Sequence, residues 1–304
     1  VTSTVLDSDV IEDEGDDLEG AEEPTRDVEK LRSRLQTAGT VLVAVGVTLV
    51  LFLGYLFWFT GIKAARAQHE LLNEFTSTQA AIPLSGKLPP NGAPAAVLTI
   101  PEIGVHQVVV QGSGPSQTAD GPGLMTGTAR PGTIGNAVIV GRRYTGGAPF
   151  GKLDRLVRGD RFTLAAGLGK LSYVVTKTGT VTPGHLDPAS PVNHPQLTIV
   201  TNGSSFASNE LYYVVARQLT VPGVAGKPRH RPALVELGLT GDTSALVPAL
   251  LLGVLYVGFV TGTVIAYRRR RDQSWTVYLL TTPIILALAL EWFSFLYLLL
   301  PSSL

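Results

Sequence analysis

Three stretches of this sequence are apolar enough, and long enough, to leave water altogether. The first, TAGTVLVAVGVTLVLFLGYLFWFTGI over residues 37–62, carries no charge. At about 1.5 Å per residue it can cross a hydrocarbon core of about 30 Å. It is too long, begins too late and lacks a following small-residue cleavage site to be a removable signal peptide. The second, residues 244–267, and the third, residues 276–300, are separated by RRRRDQSW, residues 268–275. Each of the three runs predicts a transmembrane helix, and Tyr55, Trp58 and Phe59 sit at the end of the first as interfacial aromatics do.

Between the first and second runs the period changes. Residues 63–81 open with KAARAQHELLNEF, a helix-forming stretch whose Leu71, Leu72 and Phe75 share one face, so the first helix is expected to continue as a stalk. His69 on that stalk is expected to be solvated. Over residues 82–220 short β-branched runs alternate with Gly, Pro and Asn turns: AAVLTIPEIGV, HQVVVQ, GNAVIVG, DRFTLAA, KLSYVVTKTGTV, QLTIVT and LYYVVARQL. Seven or eight strands at this spacing predict a closed or nearly closed β-barrel, or a sandwich. Residues 221–243 read as a linker to the second helix.

Charge refines the picture. Net charge is zero, but residues 1–30 hold 12 of the 24 acidic residues and only 2 of the 24 basic ones. Residues 1–36 are too acidic and too poor in aromatics to pack a core, which predicts a disordered tail, either simply solvated or docking a basic cytosolic partner. Basic short loops stay in the cytoplasm, so the four arginines at 268–271 place that loop inside. The amino-terminal tail is then cytoplasmic, and the β-domain and the end of the third helix lie outside. Arg32 and Arg34 agree; Lys63 and Arg66 argue weakly against. The absence of cysteine excludes disulfides, thiolate metal sites and a cysteine nucleophile. His106 and His194 have no metal-ligand spacing, and neither a metal, a cofactor nor a nucleic-acid partner is expected.

Five collinear motifs carry a family resemblance: VLTIPEIGV, DGPGLMTGTARPGTIGNAVIVGRR, APFGKLDRLVRGDRFTL, KLSYVV with VTPGHLDP, and LTIVTNGSSF. Together they resemble the sortases, most nearly their actinobacterial, class E-like branch. The resemblance implies a mainly β architecture, a sortase-like β-barrel outside the membrane, joined to three transmembrane α-helices. It also implies transpeptidase chemistry, in which a cysteine thiolate attacks a peptide carbonyl, a histidine exchanges protons and an arginine stabilises or positions the substrate.

Carried over position by position, the motif histidine falls on Arg142 and the motif arginine beside it on Arg143. The cysteine falls on Asn202. The catalytic arginine falls on Leu211, or on Glu210 if the register slips by one. An amide offers no nucleophile at neutral pH, and a guanidinium with a pKa above about 12 cannot shuttle a proton. All three roles are vacant, which points to a pseudoenzyme. Arg142, Arg143, Ser204 and Ser205 could instead grip a carboxylate or phosphate, or Arg142 could pair with Glu210 across the old cleft. A replacement Ser–His dyad would need Ser204 or Ser205 with His185, although hydroxyls in a Gly/Ser turn more often bond the backbone. Restoring histidine, cysteine and arginine at 142, 202 and 211 is expected to be compatible with the fold.

The helices offer their own candidates. Gly258 and Gly262 form a G-x-x-x-G pair that either lets two helices approach or is a tolerated pair facing lipid. Glu291 lies within the third apolar run, and its neighbour Trp292 suggests an interfacial position, the alternative being an intramembrane contact. The reading that unites these features is a non-catalytic sortase-like subunit or scaffold of a bacterial cell-envelope complex, set in the lipid bilayer with integral membrane proteins as partners. The alternatives are a divergent transpeptidase or hydrolase, and a receptor that binds sorting-signal-like peptides without cutting them.

Overall fold

A computed structural model describes residues 23–78, 89–166, 169–182, 190–204, 210–219, 241–269 and 274–304. The acidic tail up to residue 22, most of the linker, the arginine run from 270, His185 and Ser205 lie outside the described residues. The chain forms two compact units, residues 1–51 and 52–304. The first holds most of helix α1 (Glu23–Gly54), whose apolar side chains are exposed, as a lipid-facing helix requires.

α1 does not stop where its apolar run ends. It passes through one π-helical turn, Tyr55–Phe59, in which the Thr60 N–H bonds the Tyr55 carbonyl, and continues as α2 (Thr60–Thr78). A π turn inserts one residue into the helical register and so re-aims the faces on either side of it. Tyr55 and Leu56 are buried against apolar residues of the last helix, whereas Ala64 and Phe75 are buried farther along α2. The stretch expected to continue as a stalk docks on the barrel. Phe75, Leu71 and Leu72 pack on Val97 and Val108 of the barrel wall. The Gln68 side chain donates to the carbonyls of Val108 (3.0 Å) and Asp120 (2.9 Å) and accepts from the Val108 N–H (2.7 Å). It therefore satisfies strand groups that would otherwise face an apolar helix. His69 is exposed, as its place on the helix predicts.

Eight strands close a barrel: β1 (Pro94–Ile100), β2 (Val105–Gln111), β3 (Gly123–Leu124), β4 (Gly135–Val140), β5 (Arg161–Ala166), β6 (Gly169–Val181), β7 (Pro195–Asn202) and β8 (Leu211–Gln218). Around the wall the order is β1-β2-β3-β4-β7-β8-β6-β5, with β5 closing on β1. Strand alternation sends Leu98, Ile100, Val109, Ile139, Leu164, Tyr173, Ile199 and Val214 into one core, all at or near zero exposure. Burying each such side chain stabilises by about 1.5–3 kcal/mol, which is why these runs are β-branched or bulky. The opposite face of β4, β7 and β8 buries Val138, Val140, Val200, Leu211 and Tyr213 with Met125 and Val181. That two-sided burial explains why β4 and β7 read as nearly continuous apolar runs. The two residues of β3 carry no alternation, and a short helix α3 (Pro115–Asp120) precedes them.

The remaining helices, α4 (Leu246–Arg269) and α5 (Ser274–Leu298), pack on one another, and with α1 they are long and apolar enough to cross a membrane. Trp292 lies against Gly253 and stacks on Tyr256 at 5.3 Å. The start of α4 and the end of α5 are joined by the Asp242 N–H donating to the Leu298 carbonyl (2.8 Å). Gly241 is required there, because a Cβ would collide with the Leu299 carbonyl.

If Gln68 fixes α2 to the barrel, Gln68→Ala strands two carbonyls and a buried N–H. The expected cost is about 2–3 kcal/mol, read as a fall in thermal midpoint of the full chain in nanodiscs, while the exposed neighbour His69→Ala leaves the midpoint within error.

Candidate functional site

The three positions singled out for lost chemistry do come together. β4 and β7 run parallel with Val140 opposite Val200, and β7 and β8 run antiparallel with Asn202 opposite Leu211. The pairing of β4 and β7 extends one residue further through the Gly141 N–H to the Val200 carbonyl (3.1 Å) and the Thr201 hydroxyl to the Gly141 carbonyl (2.8 Å). Gly141 itself has no room for a side chain, because the ring of Phe150 fills that space. Arg142, Asn202 and Leu211 therefore stand in one row at the same end of three adjacent strands. The register sets Leu211, not Glu210, opposite Asn202.

Each is committed to structure. Leu211 is buried among Val140, Val200 and Tyr213. Asn202 is 3% exposed, and its Oδ1 accepts from the Gly203 N–H (3.0 Å), which also bonds the Glu210 carbonyl (2.7 Å). The amide thus tightens the turn at the strand end, and its buried Nδ2 has no partner among the described residues. Arg142 is fully buried. Its Nε donates to the Thr118 carbonyl (3.1 Å), Nη2 to the Pro115 carbonyl (3.0 Å) and Nη1 to the Thr145 hydroxyl (3.3 Å). The guanidinium lies 4.2 Å from the ring centre of Tyr297 on α5. Burial pulls the Arg142 pKa down, with Tyr297 and Asp120 pulling it back up. Asp120, at the end of α3, is displaced upward by its own desolvation, which Lys63 and Arg142 oppose.

Two expectations are corrected here. Arg142 forms no ion pair with Glu210, because its donors are spent on α3 carbonyls and Thr145 on the other side of the strand end, while Glu210 is exposed. Nor is it open to a carboxylate or phosphate. Arg143 is 7% exposed and pairs with Asp154 (2.8 Å), and it also donates to the Asn202 carbonyl (3.1 Å). Of the remaining candidates, Ser204 is exposed. His106 bonds Thr99 within the β1–β2 pair (3.0 Å), and His194 is exposed ahead of β7. Gly258 and Gly262 are exposed on α4 with nothing within 4 Å, so they are not its contact with α5. Glu291 is exposed on α5.

What fills the end of the barrel is the chain itself. Beyond α5 the segment Leu299–Leu304 turns onto the ends of β4 and β7. The Ser303 carbonyl accepts from the N–H groups of Arg143 (3.1 Å) and Asn202 (3.3 Å). The Leu304 carbonyl accepts from those of Tyr144 (2.7 Å) and Thr145 (3.1 Å). Ser302, Ser303 and Leu304 are buried, and the Ser302 hydroxyl has no partner among the described residues. Nearby, the Gly146 N–H donates to the Thr60 hydroxyl just past the π turn (3.1 Å), and a side chain added at Gly61 would touch the Gly147 backbone. Sequence reasoning missed the 299–304 segment, Tyr297 and α3. Pro301 signals a helix end, but nothing local says where the chain then goes.

Residues 98–219, which hold most of the barrel, match the family model for the sortase domain. Among solved structures, the chain is similar to a sortase D5 transpeptidase from Clostridium perfringens, with 24% identity over 51% of this chain and 99% of that one and a TM-score of 0.46. It is also similar to sortase E from Streptomyces avermitilis, with 28% identity over 43% of this chain and 91% of that one and a TM-score of 0.40. No curated protein matches the chain.

The burial of the site reverses the expectation that restoring the family's residues is tolerated. An arginine at 211 would bury an unpaired charge in an apolar cluster, and a histidine at 142 would leave the α3 carbonyls without their donor. The triple variant Arg142→His, Asn202→Cys, Leu211→Arg should lose about 3–5 kcal/mol of stability, seen as a markedly lower denaturant midpoint. In this cysteine-free chain, the pair Asn202→Cys and Ser303→Cys should give a disulfide on mild oxidation, read as a gel shift that reducing agent removes.

Proposed function

We propose that this protein is a non-catalytic sortase-like subunit of a bacterial cell-envelope membrane complex. Its barrel acts as a rigid head that holds its own membrane helices in place rather than as an enzyme. One observation carries the reading: the strand-end N–H groups beside the nucleophile position are occupied by carbonyls of the chain's own 299–304 segment.

Acyl transfer needs a nucleophile, a group that can take and return a proton, and a fixed positive charge open to the substrate. Here the nucleophile position is an amide that tightens its own turn. The proton-exchange position is a guanidinium held by three hydrogen bonds and a ring face, and the charge position is an apolar core residue. Arg143, the remaining cation, is tied to Asp154 and to the backbone of Asn202. What these groups do well is hold. They join β4, β7 and α3 to α5 through contacts that are costly to break once buried. The head lies outside the cell and the amino-terminal tail inside, following the arginine run between α4 and α5. Partners would bind the exposed faces of the head and of the helices.

The test is direct. Full-length protein in nanodiscs, incubated with a fluorogenic sorting-signal peptide and a nucleophilic acceptor amine, should show no turnover above a protein-free control and no covalent acyl adduct by intact mass. A time-dependent, saturable product, or a trapped adduct on any residue, overturns the reading.

A further inference from the structure

Glu291 stands out once the helices are placed. Three markers set its depth. α5 runs on from Glu291 to Tyr297, about 9 Å of further helix, before the Tyr297 ring meets Arg142 of the barrel. Its neighbour Phe293 contacts Phe52 at 5.2 Å, and Phe52 lies about 16 Å along the first helix from Lys63, the first charge on the barrel side. Trp292 is turned inward onto Gly253 and Tyr256 of α4, ten and thirteen residues past Thr243. These markers put Glu291 within the apolar run of α5, about 9 Å of helix before Tyr297 meets the barrel.

Its direction is equally plain. The packed face of α5 is Ile285, Ala289, Phe293 and Tyr297. Glu291 falls on the opposite side, in line with Leu280, Ile284 and Ala287, all exposed. Among the described residues no hydrogen bond or ion pair reaches its carboxylate. Among the described residues no cation pairs with it: residues 35–62 of the first helix carry none, and neither do α4 before Arg268 or α5 itself. A lone carboxylate facing hydrocarbon is strongly disfavoured unless another helix covers it.

We propose that the Leu280–Ile284–Ala287–Glu291 stripe of α5 docks a transmembrane helix of a partner protein, and that this helix carries a lysine or arginine at the depth of Glu291. Charge complementarity selects the occupant. A second copy of this chain would bring carboxylate to carboxylate, and a purely apolar helix would leave the charge unpaired. Small Ala287, one turn away, gives the partner backbone room to approach. The inference rests on the reading of this protein as a membrane-complex subunit and names the chemistry of the partner that reading requires.

The probe is a synthetic polyleucine transmembrane peptide with one lysine at matching depth, compared with an all-leucine peptide. Full-length protein, labelled through Leu246→Cys, is reconstituted with each acceptor-labelled peptide in phosphatidylcholine vesicles, and energy transfer is titrated. The lysine peptide should associate about tenfold more tightly than the all-leucine peptide. Glu291→Leu should erase that preference and Glu291→Asp should keep it. Equal association of the two peptides, or a preference that survives Glu291→Leu, overturns the proposal. In native membranes, a photo-crosslinker at Ala287 should trap a helix bearing a basic residue opposite. A trapped helix with none, or crosslinks to lipid alone, overturns it as well. The peptide-turnover assay is independent, so an inert head with a failed lysine preference removes only this proposal.

Discussion

The structure depends on a small set of backbone hydrogen bonds: the N–H groups of Arg143, Tyr144, Thr145 and Asn202 donating to the carbonyls of Ser303 and Leu304. The ends of two parallel strands leave donors with no partner of their own in the sheet, and burying them unpaired would be costly. Here the last described residues of the chain satisfy them. Because those residues follow α5 directly, the same bonds tie the helical hairpin to the barrel. Arg142 adds a second tie, from the carbonyls of α3 to the face of Tyr297. Thr60 and Gln68 fasten the first helix at two further points.

This arrangement gives a physical account of why the site has the residues it has. A guanidinium at 142 is a poor proton carrier and a good bracket, since its planar fork serves several carbonyls at once and its weak hydration tolerates a ring face. An asparagine at 202 is a poor nucleophile and a good turn former. Leucine at 211 closes an apolar cluster that a charge would open. Under the proposed function these are not three separate losses. They are one exchange of reactivity for rigidity, made at a place where strand ends supply exposed donors in any case.

Much of the barrel was legible in the sequence because strand burial is local in its signature. β1, β2 and β4 through β8 stand close to where their β-branched runs begin and end, and the Leu71–Leu72–Phe75 face of α2 packs as its spacing implies. Other features left no such mark. The two residues of β3 are too few to alternate, and they exist because Val110 and Val140 lie on either side of them. The π turn is written in YLFWF without any breaker, since it answers contacts on both sides of the helix rather than any local preference. The expected partnership of Arg142 with Glu210 failed because adjacency in a cleft says nothing about which side of a strand end a long side chain takes.

The sequence by itself determined the three apolar helices, the strand pattern and the identity of the residues in the row at 142, 202 and 211, because length, periodicity and side-chain chemistry are properties of short segments. Only the tertiary structure decided that the segment 299–304 returns to that row, that Arg142 turns toward α3 and Tyr297, and that Glu291 lies on the exposed side of α5. Those outcomes depend on which distant donors and acceptors are brought within about 3 Å of one another, and no local pattern encodes that meeting.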